Sequence, residues 1–307
     1  MKSEGLLNKV MNFKIMSDSS CDLGKQRVEE LGIDMVPFYV SFDGETYYKE
    51  IEEIDIREFY QKMVDNPDQY PKSSMPSVMD YAERFERYAK EGQPVLCICI
   101  TSKFSGSYNA ARVAAEQVTE EYPQAQIKVL DAQMNTVLQG LLVEEAVKMR
   151  DQGLELAEAF ERLEKMRGSG RIFFTIANME YLVHGGRVGK VLKVAGSRLK
   201  IKPLITLREG EIFPSGLAMG RASSLKKVET LLFNYLEKEK AVLNHFQMVV
   251  GFGYDREEGE SFLQHILEEL RKRGYTKKLE LRQIGATIGV HTGPHPLGVG
   301  ILKVVTE

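Results

Sequence analysis

Cysteine is scarce in this sequence, neither sign of charge dominates it, and no long apolar run occurs in it. Each shortage excludes a class of protein. The only cysteines are Cys21, Cys97 and Cys99. Thiolate metal ligands usually come as CxxC knuckles with more Cys or His nearby, a pattern missing here. Cys97 and Cys99 alternate within one apolar strand, so they share a face and read as buried structural residues. Few cysteines and no export signal point to a reducing cytoplasm. A formal net charge of −3 gives no attraction for nucleic acid, and Lys and Arg are dispersed along the chain. No apolar stretch approaches the roughly 18 residues of a membrane helix. The opening "MKSEGLLNKVMNFKI" has too short an apolar core for a signal peptide. Low-complexity tracts and short-period repeats are also missing.

What is present fits a globular protein with a core: 307 residues, 43% hydrophobic and 28% charged. That length accommodates two domains of roughly 100–200 residues each. "FKIMSDSSCDLGKQRVEELGIDMVPFYVSFDG" reads as strand, polar turn, helix and strand. Two helical patterns follow, the second with Ser77 as its N-cap. "PVLCICI" is a continuous apolar strand of the kind buried on both faces of a parallel sheet. A helix, the strand "QIKVLDA" and a long helical stretch from Asn135 to Arg167 complete a helix-covered parallel α/β unit. After "RGSGR" the pattern changes. "RIFFTIAN" is a strand, "VGKVLKVAGSRL" a helix, and "IKPLITLREGEIFPSG" a hairpin turned at "REGE". A helix with a Ser cap, a strand, a helix and two strands then build a mixed α+β sheet. The expected division is a short extension at 1–11, an N-terminal α/β domain at 12–168 and a C-terminal α+β domain at 169–307.

The joint "TSKFSGSYNAARVAAEQV" places four hydroxyls and a glycine between that buried strand and a helix. Ligands of α/β sheets bind at such strand ends, and a helix N-terminus suits a carboxylate or phosphate. A serine that merely caps the helix explains the same residues, and an isolated joint leaves both readings open. A hydrolase elbow would read GxSxG, whereas Ser105 sits in Lys-Phe-Ser-Gly-Ser. "HGGRVGKV" fails as a P-loop at both ends, with His184 and Val191 where Gly and Ser or Thr are needed. It still sets Arg187 and Lys190 on a glycine-rich turn, either solvated or meeting a partner's acidic group. "GFGYDREEG" is a lone GxG and makes no cofactor case. In "IGATIGVHTGPHPLGVGI", Gly293-Pro294 force a turn and hold His291 on a constrained loop, where an imidazole can meet an anion. His295 follows four residues on, but the intervening Gly and Pro keep the two off one helical face, so zinc is not expected.

Six motifs occur in order: "SDSSCDL", "KSSMPS", "TSKFSGSYNAA", "MEYLVHGGRVGK", "IKPLITLREGEI" and "IGATIGVHTGP". In this the chain resembles the DegV family, the fatty-acid-binding subunits of bacterial fatty acid kinase, from about Asn12 to its C-terminus. The resemblance implies two α/β domains with a long acyl chain buried between or within them. It implies that Ser73 and Ser105 hold the carboxylate, with His291 beside them and Ser102 and Gly106 of the same joint in the site. It implies that Arg187, with Lys190, engages an ATP-binding kinase subunit. The expected role is a presenting one. The chain would bind a long-chain fatty acid without cofactor or metal and offer its carboxylate for acyl-phosphate formation, feeding phospholipid synthesis. No nucleic acid and no integral membrane association are expected, and any membrane contact would be transient. A stand-alone serine hydrolase or kinase and a small-anion-sensing regulator are the alternatives. Two departures stand out: Ser73 replaces the usual Thr, and His295-Pro296 follow "HTGP" where Gly is common.

Overall fold

The structure, a computed structural model, describes residues 12–194, 201–240 and 242–304. The extension expected at 1–11 lies outside the described residues. Strand β1 (Lys14–Asp18) leads through helix α1 (Lys25–Leu31) to two short strands, β2 (Asp34–Val36) and β3 (Tyr39–Ser41). The sequence reads as one strand there. Pro37 divides it, because a proline offers no N–H to a ladder. β2 runs parallel to β1, while β3 pairs antiparallel with β4 (Tyr48–Lys49) and β5 (Lys72–Ser74) in a separate small sheet. That sheet, which no sequence pattern announces, carries Ser73.

Helices α2 (Ile56–Asp65) and α3 (Val78–Lys90) both begin at side-chain caps. Asp55 accepts the Glu58 N–H, and Ser77 forms a reciprocal capping box with Asp80. β6 (Val95–Cys99) is buried at every residue, as a central parallel strand must be. With α4 (Ser107–Glu121) and β7 (Ile127–Asp131) it completes a parallel sheet of order β2-β1-β6-β7. The helical stretch expected over 135–167 is two helices, α5 (Thr136–Asp151) and α6 (Leu156–Arg167). Gly153, at φ +87°, turns the chain between them.

The second sheet opens with β8 (Arg171–Thr175), and the short helix α7 (Glu180–His184) follows. Where a helix is expected from "VGKVLKVAGSRL", Gly189–Val194 form a 3-10 helix, and the remaining residues lie outside the described ones. β9 (Ile201–Arg208) and β10 (Glu211–Met219) make the expected hairpin. α8 (Arg221–Lys238) starts earlier than the expected serine cap. Gly220 stands at its N-terminus, and the Ser224 hydroxyl bonds back to the Arg221 carbonyl. β11 (Phe246–Phe252), α9 (Arg256–Lys272), β12 (Leu279–Gln283), α10 (Ala286–Thr292) and β13 (Leu297–Lys303) complete a mixed sheet of order β10-β9-β8-β13-β11-β12.

Helix α5 is buried nearly all round and packs on β1 of the first sheet and on β11 and β13 of the second. One apolar core therefore runs from Phe13 and Ile15 through Leu138 and Leu142 to Val249 and Leu302. Both strand cysteines are buried, with Cys97 Sγ 3.7 Å from Cys99 Sγ. No helix among the described residues is long and apolar enough to cross a membrane.

Candidate functional site

Four segments far apart in sequence converge on one cavity: β5 with Ser73, the joint after β6 with Ser105 and Gly106, the turn after α7 with Arg187, and α10 with His291. The sequence places His291 on a loop; it is in the last turn of α10. Its Nε2 lies 3.0 Å from Ser73 Oγ, across 218 positions of sequence. Its Nδ1 is buried without a hydrogen-bond partner. Burial first, and the nearby Arg187 guanidinium second, push its pKa down to about 4, so the ring is neutral at pH 7. An unpaired lone pair at Nδ1 costs less than an unpaired buried N–H, which assigns the proton to Nε2. Nε2–H then donates to Ser73 Oγ, and the serine's own hydrogen is left for the cavity.

A nucleophile paired with an imidazole also suggests hydrolysis, and in the usual triad a third group orients the base. Here the second ring nitrogen faces Gly185, where an added Cβ would fall 2.1 Å from it. No carboxylate takes that place.

The depressed pKa has a consequence for stability. In the unfolded chain His291 titrates near 6.5, in the fold near 4. As pH falls through that window the unfolded state takes up the proton first, so stability is lost on acidification. Between about pH 7 and about pH 5 the loss attributable to His291 is expected to be about 2 kcal/mol. Urea denaturation of the protein and of His291→Gln at both pH values measures it. An equal pH dependence in the two would contradict the assignment.

Ser105 sits at the start of α4 and its Oγ accepts the Ser107 N–H at 3.2 Å, so it does help to cap the helix. Its hydroxyl hydrogen remains available to a ligand at the positive end of a 15-residue helix. Behind the joint lies Asp18, whose Oδ2 accepts the Ile100 N–H at 2.9 Å and the Ser107 O–H at 2.8 Å. Its Oδ1 accepts from Ser20 and from Gln139 Nε2. Burial raises the Asp18 pKa, and these donors oppose the rise. The anchor belongs to the quoted "SDSSCDL" stretch, but nothing local in that stretch reveals what it would hold. Ser102 is not brought to the site: its side chain is exposed and outside the cavity lining.

Arg187 is exposed, yet it lines the cavity. Nε donates to the Phe104 carbonyl at 3.1 Å and Nη1 to the Gly185 carbonyl at 2.7 Å. Lys190 lies off the cavity, paired with Glu211 at 2.6 Å and stacked over Phe213. His295 does not line the cavity either. It packs edge-on to Tyr254, and its neighbour Pro296 lines a deeper space.

That deeper space adjoins the polar mouth: Asn135, Phe174, Ile212, Ile288 and Thr292 border both. The cavity volume is about 110 Å³ in the mouth segment and about 50 Å³ in the inner one. The inner walls are Val137, Ile172, Leu207, Ile284 and Leu297, with polar groups only at Asn135, Thr136 and Thr292. Sequence reading missed this segment, since each of its residues looks like ordinary core. A few hydroxyls, a neutral imidazole and a guanidinium beside an apolar cavity suit an amphiphile with an anionic head. Among the described residues no group of Cys, His, Asp and Glu could hold a metal ion.

A family model described as "Uncharacterised protein, DegV family" matches residues 12–304. A DegV domain-containing protein of Clostridium perfringens is 31% identical over 297 residues, covering 96% of this chain and 99% of its own. A "Fatty acid-binding protein" of Thermotoga maritima is 31% identical over 296 residues, covering 95% and 98%. Among solved structures, a fatty acid (stearic acid)-binding protein from Eubacterium ventriosum is 41% identical. It superposes with a TM-score of 0.89 over 95% of this chain and 98% of its own.

Proposed function

Because the chain belongs to the DegV family, we propose that it binds a long-chain fatty acid and presents the carboxylate to a separate ATP-binding kinase subunit. The observation that carries this reading is the union of the Ser73–His291 pair, Ser105 and Arg187 with an apolar cavity. The stearic-acid-binding relative supports the same ligand class. Burying a tail yields about 0.8 kcal/mol per CH₂, on the order of 10 kcal/mol for a sixteen-carbon chain. Affinity resides in the tail, and the polar mouth orients the head. Phosphoryl transfer by the partner makes an acyl phosphate that stays on this chain and feeds phospholipid synthesis, the chain itself being no enzyme. On this reading an N-terminal α/β domain and a C-terminal α+β domain divide at residues 168/169, shortly before β8, and the setting is the cytoplasm.

Organic extraction of the purified protein, followed by mass spectrometry, tests the ligand. Roughly one long-chain acid per chain is expected, as one pocket implies. Protein that carries no lipid and refuses added fatty acid would overturn the reading.

A further inference from the structure

The inner face of the second sheet lacks side chains where a core normally has them. In antiparallel neighbours, directly opposed residues lie on one face. Gly298 on β13 stands opposite Phe174 on one side and Gly251 on the other. Two residues along, on the same face, Gly300 stands opposite Ile172 and Val249. Three glycines thus adjoin at the centre of a buried face, a place that Val, Ile or Leu ordinarily fills. All three line the inner segment of the cavity. The lining runs from Ile212 on β10 to Gly251 on β11, across four interstrand gaps, a span of about 19 Å at the usual strand spacing.

The three glycines differ in what they permit. A Cβ on Gly298 would fall 2.4 Å from the Phe173 carbonyl oxygen, so close strand packing alone requires glycine there. At Gly300 it would meet Val249 Cγ1 at 3.2 Å and Leu138 Cβ at 3.4 Å; at Gly251, Val137 Cγ2 at 3.1 Å. Those contacts are tight but yield to small side-chain shifts. We propose that Gly251 and Gly300, with Val137 of α5 packed against Gly251, are specificity-determining residues that set how long an acyl tail the cavity accepts. The proposal rests on the fatty-acid reading of the site. Each methyl added to the glycine floor takes space from the distal methylenes, and each methyl removed from Val137 gives it back.

Delipidated wild type, Gly300→Ala and Val137→Ala are to be loaded competitively with an equimolar series of saturated acids from lauric to stearic, and the bound acids quantified. Gly300→Ala is expected to shift the bound mixture toward shorter acids, changing the long-to-short ratio roughly tenfold for two excluded methylenes. Val137→Ala is expected to shift it the other way. Opposite shifts do not arise from general loosening of the fold, which would move both variants alike. Wild-type chain-length profiles in both variants, or shifts of the same sign, would overturn the proposal. Failure of the wild type to load any acid would instead remove the reading on which it rests.

Discussion

Arg187→Glu is expected to abolish phosphorylation of bound fatty acid by the ATP-binding subunit while most of the lipid stays bound. The guanidinium lies exposed on a turn beside the cavity mouth, reachable by a partner. Replacing attraction by repulsion at such an interface costs several kcal/mol, enough to reduce transfer a hundredfold or more. The sequence gives this residue a docking role and no contact with the acyl tail. The structure adds a second role, because Arg187 also lines the mouth and donates to the carbonyls of Phe104 and Gly185. A glutamate there loses both donors and faces the ligand's carboxylate, so a modest fall in affinity is expected as well. At an exposed position that repulsion is worth about 1 kcal/mol, far less than the on the order of 10 kcal/mol from the tail. Lipid content and phosphorylation measured on one preparation separate the two effects. Lipid-free protein would make Arg187 primarily a ligand-holding residue, and undiminished phosphorylation would place the docking surface elsewhere.

Gly185→Ala is expected to dismantle the head-group site from behind. Gly185 has φ −74° and ψ −9°, a conformation alanine adopts freely, so the backbone gives no reason for harm. The added methyl would, however, lie 2.1 Å from His291 Nδ1 and 3.0 Å from the Tyr181 carbonyl oxygen. Since the carbonyl belongs to a helix, the imidazole must give way, and its bond to Ser73 breaks. Overpacking of this kind costs about 1–3 kcal/mol of stability. The variant is expected to lose the His291-dependent part of the pH profile and to present lipid poorly. The neighbouring Gly186→Ala serves as a control of opposite character: at φ +68° it strains the backbone, but its Cβ meets nothing within 4 Å. Gly186→Ala should therefore lower stability without disturbing the imidazole. Unaltered His291 titration in Gly185→Ala, read by NMR, would contradict the packing argument.

Much of the local structure was legible in the chain. Apolar continuity marks β6 as a buried parallel strand, Ser77 announces the cap of α3, and the "REGE" turn places the β9–β10 hairpin. These features depend on interactions within a few residues, where periodicity, capping and turn chemistry act. Local rules also failed in identifiable places. Pro37 sends consecutive strands into different sheets, Gly153 breaks one long helical pattern, and His291 is helical although glycine and proline surround it. Family resemblance singled out Ser73, Ser105 and His291, but no local pattern in the residues shows that they adjoin.

By itself the sequence determined the alternation of strands and helices, the buried nature of Cys97 and Cys99, and the want of a P-loop or hydrolase elbow. Tertiary structure alone decided that Ser73 meets His291 across 218 residues, that Arg187 lines the cavity while Ser102 does not, and that three glycines adjoin on one buried face. The physical reason is range. Backbone propensity and periodicity are set by near neighbours, whereas a cavity is made by strand register and by α5 packed between two sheets, which depend on burial shared across the whole chain.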